Sequence, residues 1–324
     1  MLTYIIRRIL YALPILLGVN IITFALFFIV NSPDDMARIH LGGKRVTQEQ
    51  IIQWKSTHDY DKPLFINNNQ NGLNKITDTL FVQQTIKLLQ LDFGVSDTGR
   101  NISYDIRQRM WPSLAIAVPS LIIGLVLNIS LAMLMIFFRG SYIDNIGGIL
   151  CIILMSISTL FFIIGGQFLF AKILKWFPIS GYDDLIVYKF VALPILVAVI
   201  SSIGMDVRWY RTLFLEELHK EYVNTAKAKG LTHLNILFKH IFKNALIPIV
   251  TTVVIIIPHL FLGSLLLESF FDIPGLGSYT IDAIGQQDFA IVKSMVFLGA
   301  ILYIIGLVLT DIIYTLVDPR IKFK

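Results

Sequence analysis

The sequence predicts an all-α polytopic membrane protein: six transmembrane helices, one polar insertion after the first, and one long basic loop between the fourth and fifth. Three observations carry this. Apolar residues make up 55% of the 324 and the mean hydropathy is +0.71, far above a water-soluble domain. They gather in six runs, each long enough to cross a bilayer. The Lys and Arg of the short loops fall on one side only. The formal charge of +5 fits cationic cytoplasmic loops, not a nucleic-acid surface. Cys151 is the single cysteine, which excludes a disulfide within one chain.

The first element opens on Arg7-Arg8 and an apolar run from Ile9 to Val30. That run is too long for the apolar stretch of a signal peptide, and Asn31-Ser32-Pro33 offers no small-residue cleavage site. Residues 1–31 are therefore expected as an uncleaved N-terminal transmembrane helix starting in the cytoplasm. Residues 32–111 are polar, mixed in charge and without a spanning run. They form the expected extracytoplasmic insertion, in which Asn68-Asn69-Gln70-Asn71-Gly72 marks a loop and Thr79 to Leu91 a short amphipathic helix. Residues 112–324 form the expected core, with five runs at 113–138, 146–171, 187–206, 245–267 and 294–317.

Charge sets the orientation. Arg139 follows the second run. Arg208, Arg211, Lys220, Lys227, Lys229, Lys239 and Lys243 lie between the fourth and fifth, and Arg320, Lys322 and Lys324 follow the sixth. The loop between the fifth and sixth carries Glu268, Asp272, Asp282 and Asp288, and no Lys or Arg before Lys293. Both termini and the basic loop are thus expected in the cytoplasm.

The basic stretch from Glu216 to Pro248 reads as two short helices around one break. The first, from Glu216 to Ala228, is rich in helix formers. Gly230 stops it, because glycine tolerates the left-handed conformation that ends a helix, and Thr232 is an N-cap for the second. There Leu234, Leu237, Phe238 and Ile241 fall at i, i+3, i+4 and i+7, one apolar face. A cationic, amphipathic helix pair at a membrane edge suits docking on a soluble partner.

These residues carry a resemblance. The stretch Glu221-Tyr222-Val223-Asn224-Thr225-Ala226-Lys227-Ala228-Lys229-Gly230-Leu231, with Lys239-His240 and Asn244 to Pro248, resembles the EAA loop of bacterial ABC importer permeases of the dipeptide, oligopeptide and nickel branch. Asn224, Thr225 and Ala226 stand where the general pattern has Glu-Ala-Ala, and Phe242-Lys243 where it closes on Leu-Pro; both departures look like the peptide branch. Tyr4 to Arg8 with Pro14 and Gly18, Leu91 to Ser96, and Trp176 to Tyr182 resemble further elements of these permeases. Glu268-Ser269-Phe270-Phe271-Asp272-Ile273-Pro274-Gly275-Leu276-Gly277 resembles their Glu-x-Val-Phe-x-x-Pro-Gly-Leu-Gly, an abrupt turn able to set a re-entrant or interfacial helix near Ser278. Ala283-Ile284 and Asp288-Phe289 follow at familiar spacing, and Asp311 and then Asp318-Pro319-Arg320 close the stretch. Where these permeases carry Ser-Ile-Pro-x-Phe inside span three, this chain has Ser156-Ile157-Ser158-Thr159-Leu160, which removes an expected proline kink.

The resemblance implies a type I ABC importer-like fold, with residues 216–244 as the cytoplasmic coupling loop. It implies Tyr222, Thr225, Ala226, Lys227, Ala228, Lys229, Gly230 and Leu231 as the docking site for an ATPase, with Ala226 small enough to let that partner approach. The implied partners are a second homologous permease, two ATPase subunits and an extracytoplasmic solute-binding protein, in a bacterial cytoplasmic (inner) membrane. Peptides are the expected solute, with nickel complexes, antimicrobial peptides and oligosaccharides as alternatives. ATP belongs to the partner subunits, since no Gly-x-x-x-x-Gly-Lys-Ser/Thr loop exists in this chain; Gly42-Gly43-Lys44 lacks both the spacing and the hydroxyl.

Other chemistry is weakly supported. His219, His233 and His240 share the basic loop, but no Cys or carboxylate joins them at zinc spacing, so no metal or other cofactor is expected on this chain. Span five is expected to bend at Pro248 and Pro258, turning Thr251, Thr252 and His259 toward a translocation path. Asp311, the main ionisable residue inside a predicted span, is a further candidate for that path. An ion-driven single-chain transporter is the rival class; it calls for charges near mid-membrane and an inverted repeat, and neither is evident.

Overall fold

The computed structural model describes residues 2–29, 32–42, 46–57, 60–68, 70–72 and 74–317, with side chains from Leu10 onward except 12, 13, 40 and 313–317. The expectations placed on Gly43-Lys44 and on Asp318 to Lys324 lie outside those residues. Helices follow in the order α1 (Leu2–Phe28), α2 (Pro33–His40), α3 (Gln48–Thr57), α4 (Asn74–Thr77), α5 (Leu80–Leu89), α6 (Ile102–Phe137), α7 (Tyr142–Ser156), α8 (Thr159–Gly166, continued by a π-helix Gln167–Ile173), α9 (Val187–Leu218), α10 (Glu221–Ala228), α11 (His233–Ile236, continued by a π-helix Leu237–Phe242), α12 (Lys243–Leu260), α13 (Leu265–Phe271), α14 (Leu276–Gln286) and α15 (Phe289–Val317). Among the described residues there is no strand, only one isolated bridge between Val95 and Asn101. The fold is all-α and polytopic.

Four stretches are each long and apolar enough to cross a bilayer: α6, α9, His233–Leu260 and Phe289–Ile312. Two bent pairs, one from α1 and α2 and one from α7 and the α8 stretch, reach that size together, so six spans result if each pair is one crossing.

The chain forms two compact units. One holds the residues up to Arg109 with Tyr279–Val308; the other holds Met110–Ser278 with the residues from Leu309.

In the first unit an aromatic core is built from Phe24, Phe28, Met36, Tyr60 and Leu80. Phe24 stacks within 5.2 Å of Phe28, Phe65 and Phe81. Pro33 opens α2 behind a Ser32–Asp35 capping box, which satisfies two N–H groups a helix start leaves orphaned. Thr79 caps the amphipathic α5, accepting from the Val82 N–H. The Asp288 carboxylate accepts from the N–H groups of Ile291 and Asp97, so it both starts α15 and pins the turn before α6. The Tyr279 hydroxyl donates to Asp105. Burial, and then the Asp105 charge, raise its pKa above the ordinary tyrosine value.

In the second unit two apolar clusters form. One gathers Ala132, Ile136, Val207, Phe214, Val223, Ala226, Ile236, Leu237 and Ile241. The other gathers Ile116, Ile163, Leu193, Val197, Phe271 and Ile273. Arg211 donates to both oxygens of the Asp144 carboxylate at 2.8 and 2.9 Å, fixing the start of α7 on α9.

Span three departs from expectation. The missing proline does not leave it straight: α7 and the α8 stretch meet at 91°. Ile157 and Ser158 are extended, and the Ser156 hydroxyl turns back on the Ile152 carbonyl. Serines that compete for backbone groups, beside a β-branched residue, end the helix without proline's help.

Candidate functional site

The basic segment begins, within the second unit, where α9 ends. Its first helix starts at Glu221, not Glu216, because α9 runs on through Glu216 and Glu217 to Leu218. The chain then turns at His219 and Lys220, where Lys220 is extended. His219 is held on both sides of its ring: Nδ1–H donates to the Leu215 carbonyl and Nε2 accepts from Arg139. The Tyr222 hydroxyl reaches back to donate to Glu217 at 2.5 Å. Burial, and then this bond, push its pKa up to about 12.

Helix α10 ends in a Schellman turn. The Leu231 N–H donates to the Ala226 carbonyl, and the Gly230 N–H to that of Lys227. Gly230 has φ +76°, the left-handed conformation that this motif needs and that glycine adopts without strain. Thr232 then caps α11, accepting from the Asn235 N–H. Thr225 bonds its own helix at Glu221. Lys227, Ala228, Lys229 and Gly230 are exposed, and Tyr222 is half-buried.

Two expectations change here. Ala226 is 4% exposed and packs inside the chain's own cluster with Val223 and Ile241, so its small size serves the packing of α10 on α11. The expected apolar face also splits. Leu237 and Ile241 turn inward with Ile236, while Leu234 and Phe238 are 54% and 56% exposed. The π-helical turn explains the split: its i→i+5 bonds widen the spacing of inward positions relative to an α-helix. With the exposed Leu231, these residues make an outward apolar stripe beside Lys227, Lys229 and Lys239.

The second feature is a cavity of about 390 Å³ inside the second unit. It is walled by α6, α9, α12 and the residues around α13, and its lining is mostly apolar. Its polar lining groups include Ser120, Ser202, Asp206, Thr252, His259 and Glu268. Of the path residues expected from sequence, Thr252 and His259 line it. Thr251 does not; its hydroxyl bonds the Ile247 carbonyl. Asp311 lies on α15, away from this lining. Neither Pro248 nor Pro258 breaks the helix from His233 to Leu260.

Glu268 seals one end of the cavity. Its side chain is 1% exposed and accepts from the N–H groups of Ser264 at 3.0 Å, Gly277 at 2.7 Å and Ser278 at 3.1 Å. The Leu276 N–H donates to the Ser113 hydroxyl. A carboxylate in this position complements the positive end of α14 and supplies acceptors for its first N–H groups. A side chain at Gly263 or Gly275 would collide with that carboxylate, and one at Gly277 with the Ser264 backbone. The acidic residue and glycines of the Glu268–Gly277 stretch are thus one packed object. The aromatic loop joins it: the Gly181 N–H donates to the Phe271 carbonyl, and Gln167 ties Ile179 to Phe270.

Sequence reading missed Asp206. It closed span four at that residue, whereas α9 continues as far as Leu218. Asp206 therefore lies inside a helix and on the cavity wall, with Asn128 donating to it at 3.0 Å. An acidic residue followed by Arg208 and Arg211 reads as a loop; the helix-forming residues beyond it were the available signal.

Comparison with known proteins gives this arrangement its relatives. Residues 128–323 match the model of the binding-protein-dependent transport system inner membrane component family, and residues 1–90 match that of its N-terminal membrane component. The chain is 29% identical to the oligopeptide transport system permease protein AppB of Bacillus subtilis, over 100% of both chains. It is 28% identical to a probable peptide ABC transporter permease protein, y4tP, of Sinorhizobium fredii, over 99% of each. It is 27% identical to the glutathione transport system permease protein GsiC of Salmonella typhimurium, over 100% of each. With a family model covering most of the span-bearing core, the chain belongs to the binding-protein-dependent transport system inner membrane components.

Proposed function

We propose that the chain is the permease subunit of an ATP-driven importer of peptides, and that the Gly230-centred helix pair is where an ATPase subunit docks. The observation that carries the docking is the outward stripe of Leu231, Leu234 and Phe238, on a segment whose inner face is fixed to the membrane helices by Val223, Ala226, Leu237 and Ile241. A rigid lever with an apolar outer face suits transmission of an ATPase's movement to α9 and α12. Tyr222, Thr225, Lys227, Ala228 and Lys229 frame it, and Ala226 supports it from behind. The peptide substrate is supported by the relatives, which are named as permeases for oligopeptides, peptides and glutathione.

In this reading the chain binds no ATP and catalyses no reaction itself. It works with two ATPase subunits, a second homologous permease and an extracytoplasmic binding protein, in a bacterial cytoplasmic membrane with both termini inside. Residues 32–111 form the outer insertion, and the cavity bearing Thr252 and His259 is part of the solute's path.

The test uses the tagged chain purified from its host membrane. It is expected to carry an ATP-hydrolysing subunit and, with its binding protein in liposomes, to import a labelled tripeptide on ATP. The double variant Leu234→Asp/Phe238→Asp is expected to insert normally and to lose the ATPase. Full retention of the ATPase by that variant would remove the docking surface, and a wild-type complex that imports no peptide would remove the substrate.

A further inference from the structure

We infer that the cavity of the second unit holds the ammonium group of the solute during passage, with Asp206 as its counter-ion. This rests on the peptide-import reading and adds to it a chemical preference located in the permease itself.

The argument starts from cost. Asp206 lies about three turns before the end of α9, the helix rising 1.5 Å per residue. An acidic residue on a spanning helix is expensive unless it is paired or used. Asp206 has no ion pair among the described residues. The two cations that follow it on α9 are committed elsewhere: Arg211 to Asp144, and Arg208 toward the Met155 sulfur at 3.5 Å. What Asp206 does have is a positioner. Asn128, fully buried, donates through Nδ2 both to the Asp206 carboxylate and to the Ser202 hydroxyl, each at 3.0 Å. The carboxylate is thus aimed but not neutralised.

The surroundings fit a cationic guest. The cavity is walled largely by apolar side chains such as Ile116, Leu121, Ile256 and Leu260, and such walls strengthen a charge's pull on its counter-ion. Its other carboxylate, Glu268, is occupied by three backbone N–H groups. Among the described residues no Lys or Arg lines it, and His259 and Tyr210 are its other titratable groups. An ammonium group carries three donors and no acceptor. The Asp206 carboxylate supplies complementary acceptor oxygens, and charge-assisted bonds of this kind are the strong ones. An unblocked peptide N-terminus is the matching guest; a solute whose only charge is a carboxylate is repelled.

The experiment uses the whole transporter with its binding protein in liposomes and tri-alanine, whose only ammonium is its N-terminus. Asp206→Asn preserves the bond from Asn128, because an amide oxygen still accepts, and removes only the charge. It is expected to lower the maximal import rate about tenfold, the size of one charge-assisted hydrogen bond. The half-saturating concentration, which the binding protein sets, stays unchanged, and ATP hydrolysis persists. Asp206→Glu is expected to keep at least half of the rate. Import by Asp206→Asn at the wild-type maximum would overturn the site. So would joint loss of import and ATP hydrolysis in both variants, which marks a framework role. Wild-type liposomes that hydrolyse ATP but import no tri-alanine would remove the peptide reading, and this site with it.

Discussion

Two turns in the second unit hold a glycine in the same left-handed conformation, and they are built for opposite ends. Gly230 has φ +76° and Gly263 has φ +71°. A side chain at Gly230 would meet nothing within 4 Å, whereas one at Gly263 would strike the Glu268 carboxylate and the Ser113 hydroxyl. The first turn needs glycine only for its backbone and leaves its outer surface free. The second needs glycine for space, because a buried carboxylate fills the turn. A motif in the sequence therefore does not say whether it faces a partner or the protein's own interior; the space around the glycine does.

The largest effect is expected at the filled turn. Glu268→Ala would leave the N–H groups of Ser264, Gly277 and Ser278 without their acceptor inside the protein. A buried N–H left without its acceptor costs about 1–3 kcal/mol, and three are left here. Purified complexes of this variant are expected to melt far below the wild type, and their membrane yield to fall. Gly263→Ala is expected to follow closely, since it adds backbone strain to a collision. A Glu268→Ala complex that melts with the wild type would erase the distinction between the two turns.

At the open turn the cost is conformational alone. Gly230→Val forces a β-branched residue into the left-handed region, at roughly 1–2 kcal/mol. Gly230→Asn is expected to cost less, because asparagine tolerates that region. Neither variant alters packing, so the melting temperature should move little, while peptide imported per ATP hydrolysed drops in Gly230→Val. Equal coupling in Gly230→Val and wild type would show that the angle between α10 and α11 is not what the segment transmits.

The same contrast explains what the sequence revealed. The four long spans were legible because apolar runs of that length have one use, and the Thr232 cap because a hydroxyl before a helix has a local job. Gly230 was legible for the same reason. Ala226 was not: its neighbours Val223, Ile236 and Ile241 come from three helical segments, and no local pattern says that a small residue in a basic loop points inward. The split of Leu234 and Phe238 from Leu237 and Ile241 needed the π turn, which has no local sequence signature here. The break at Ser156–Ser158 carries no proline, the residue whose loss predicts a straighter span; the serines end the helix instead. Asp206 was assigned to the edge of a span, since two arginines follow it.

The smallest effect sharpens the comparison at its hinge. At the end of α9 Glu217 accepts from the Tyr222 hydroxyl and also receives Lys220. Tyr222→Phe removes the bond and keeps the ring, at roughly 1 kcal/mol for a neutral donor beside a charged acceptor in a partly exposed place. The folded pKa of Tyr222 is raised to about 12 from an ordinary value of about 10. The folded state therefore prefers the protonated phenol. Its contribution is complete below pH 10 and is lost as the pH climbs from 10 toward 12. The gap in unfolding free energy between wild type and Tyr222→Phe is expected to stay constant up to pH 10 and to close above it. Equal stability of wild type and Tyr222→Phe below pH 10 would mean that the ring's packing, and not the bond to Glu217, ties α10 to the end of α9. The outward segment would then be anchored there by the ring's apolar contact, unlike the aromatic loop at the filled turn, which Gly181 and Gln167 tie by hydrogen bonds.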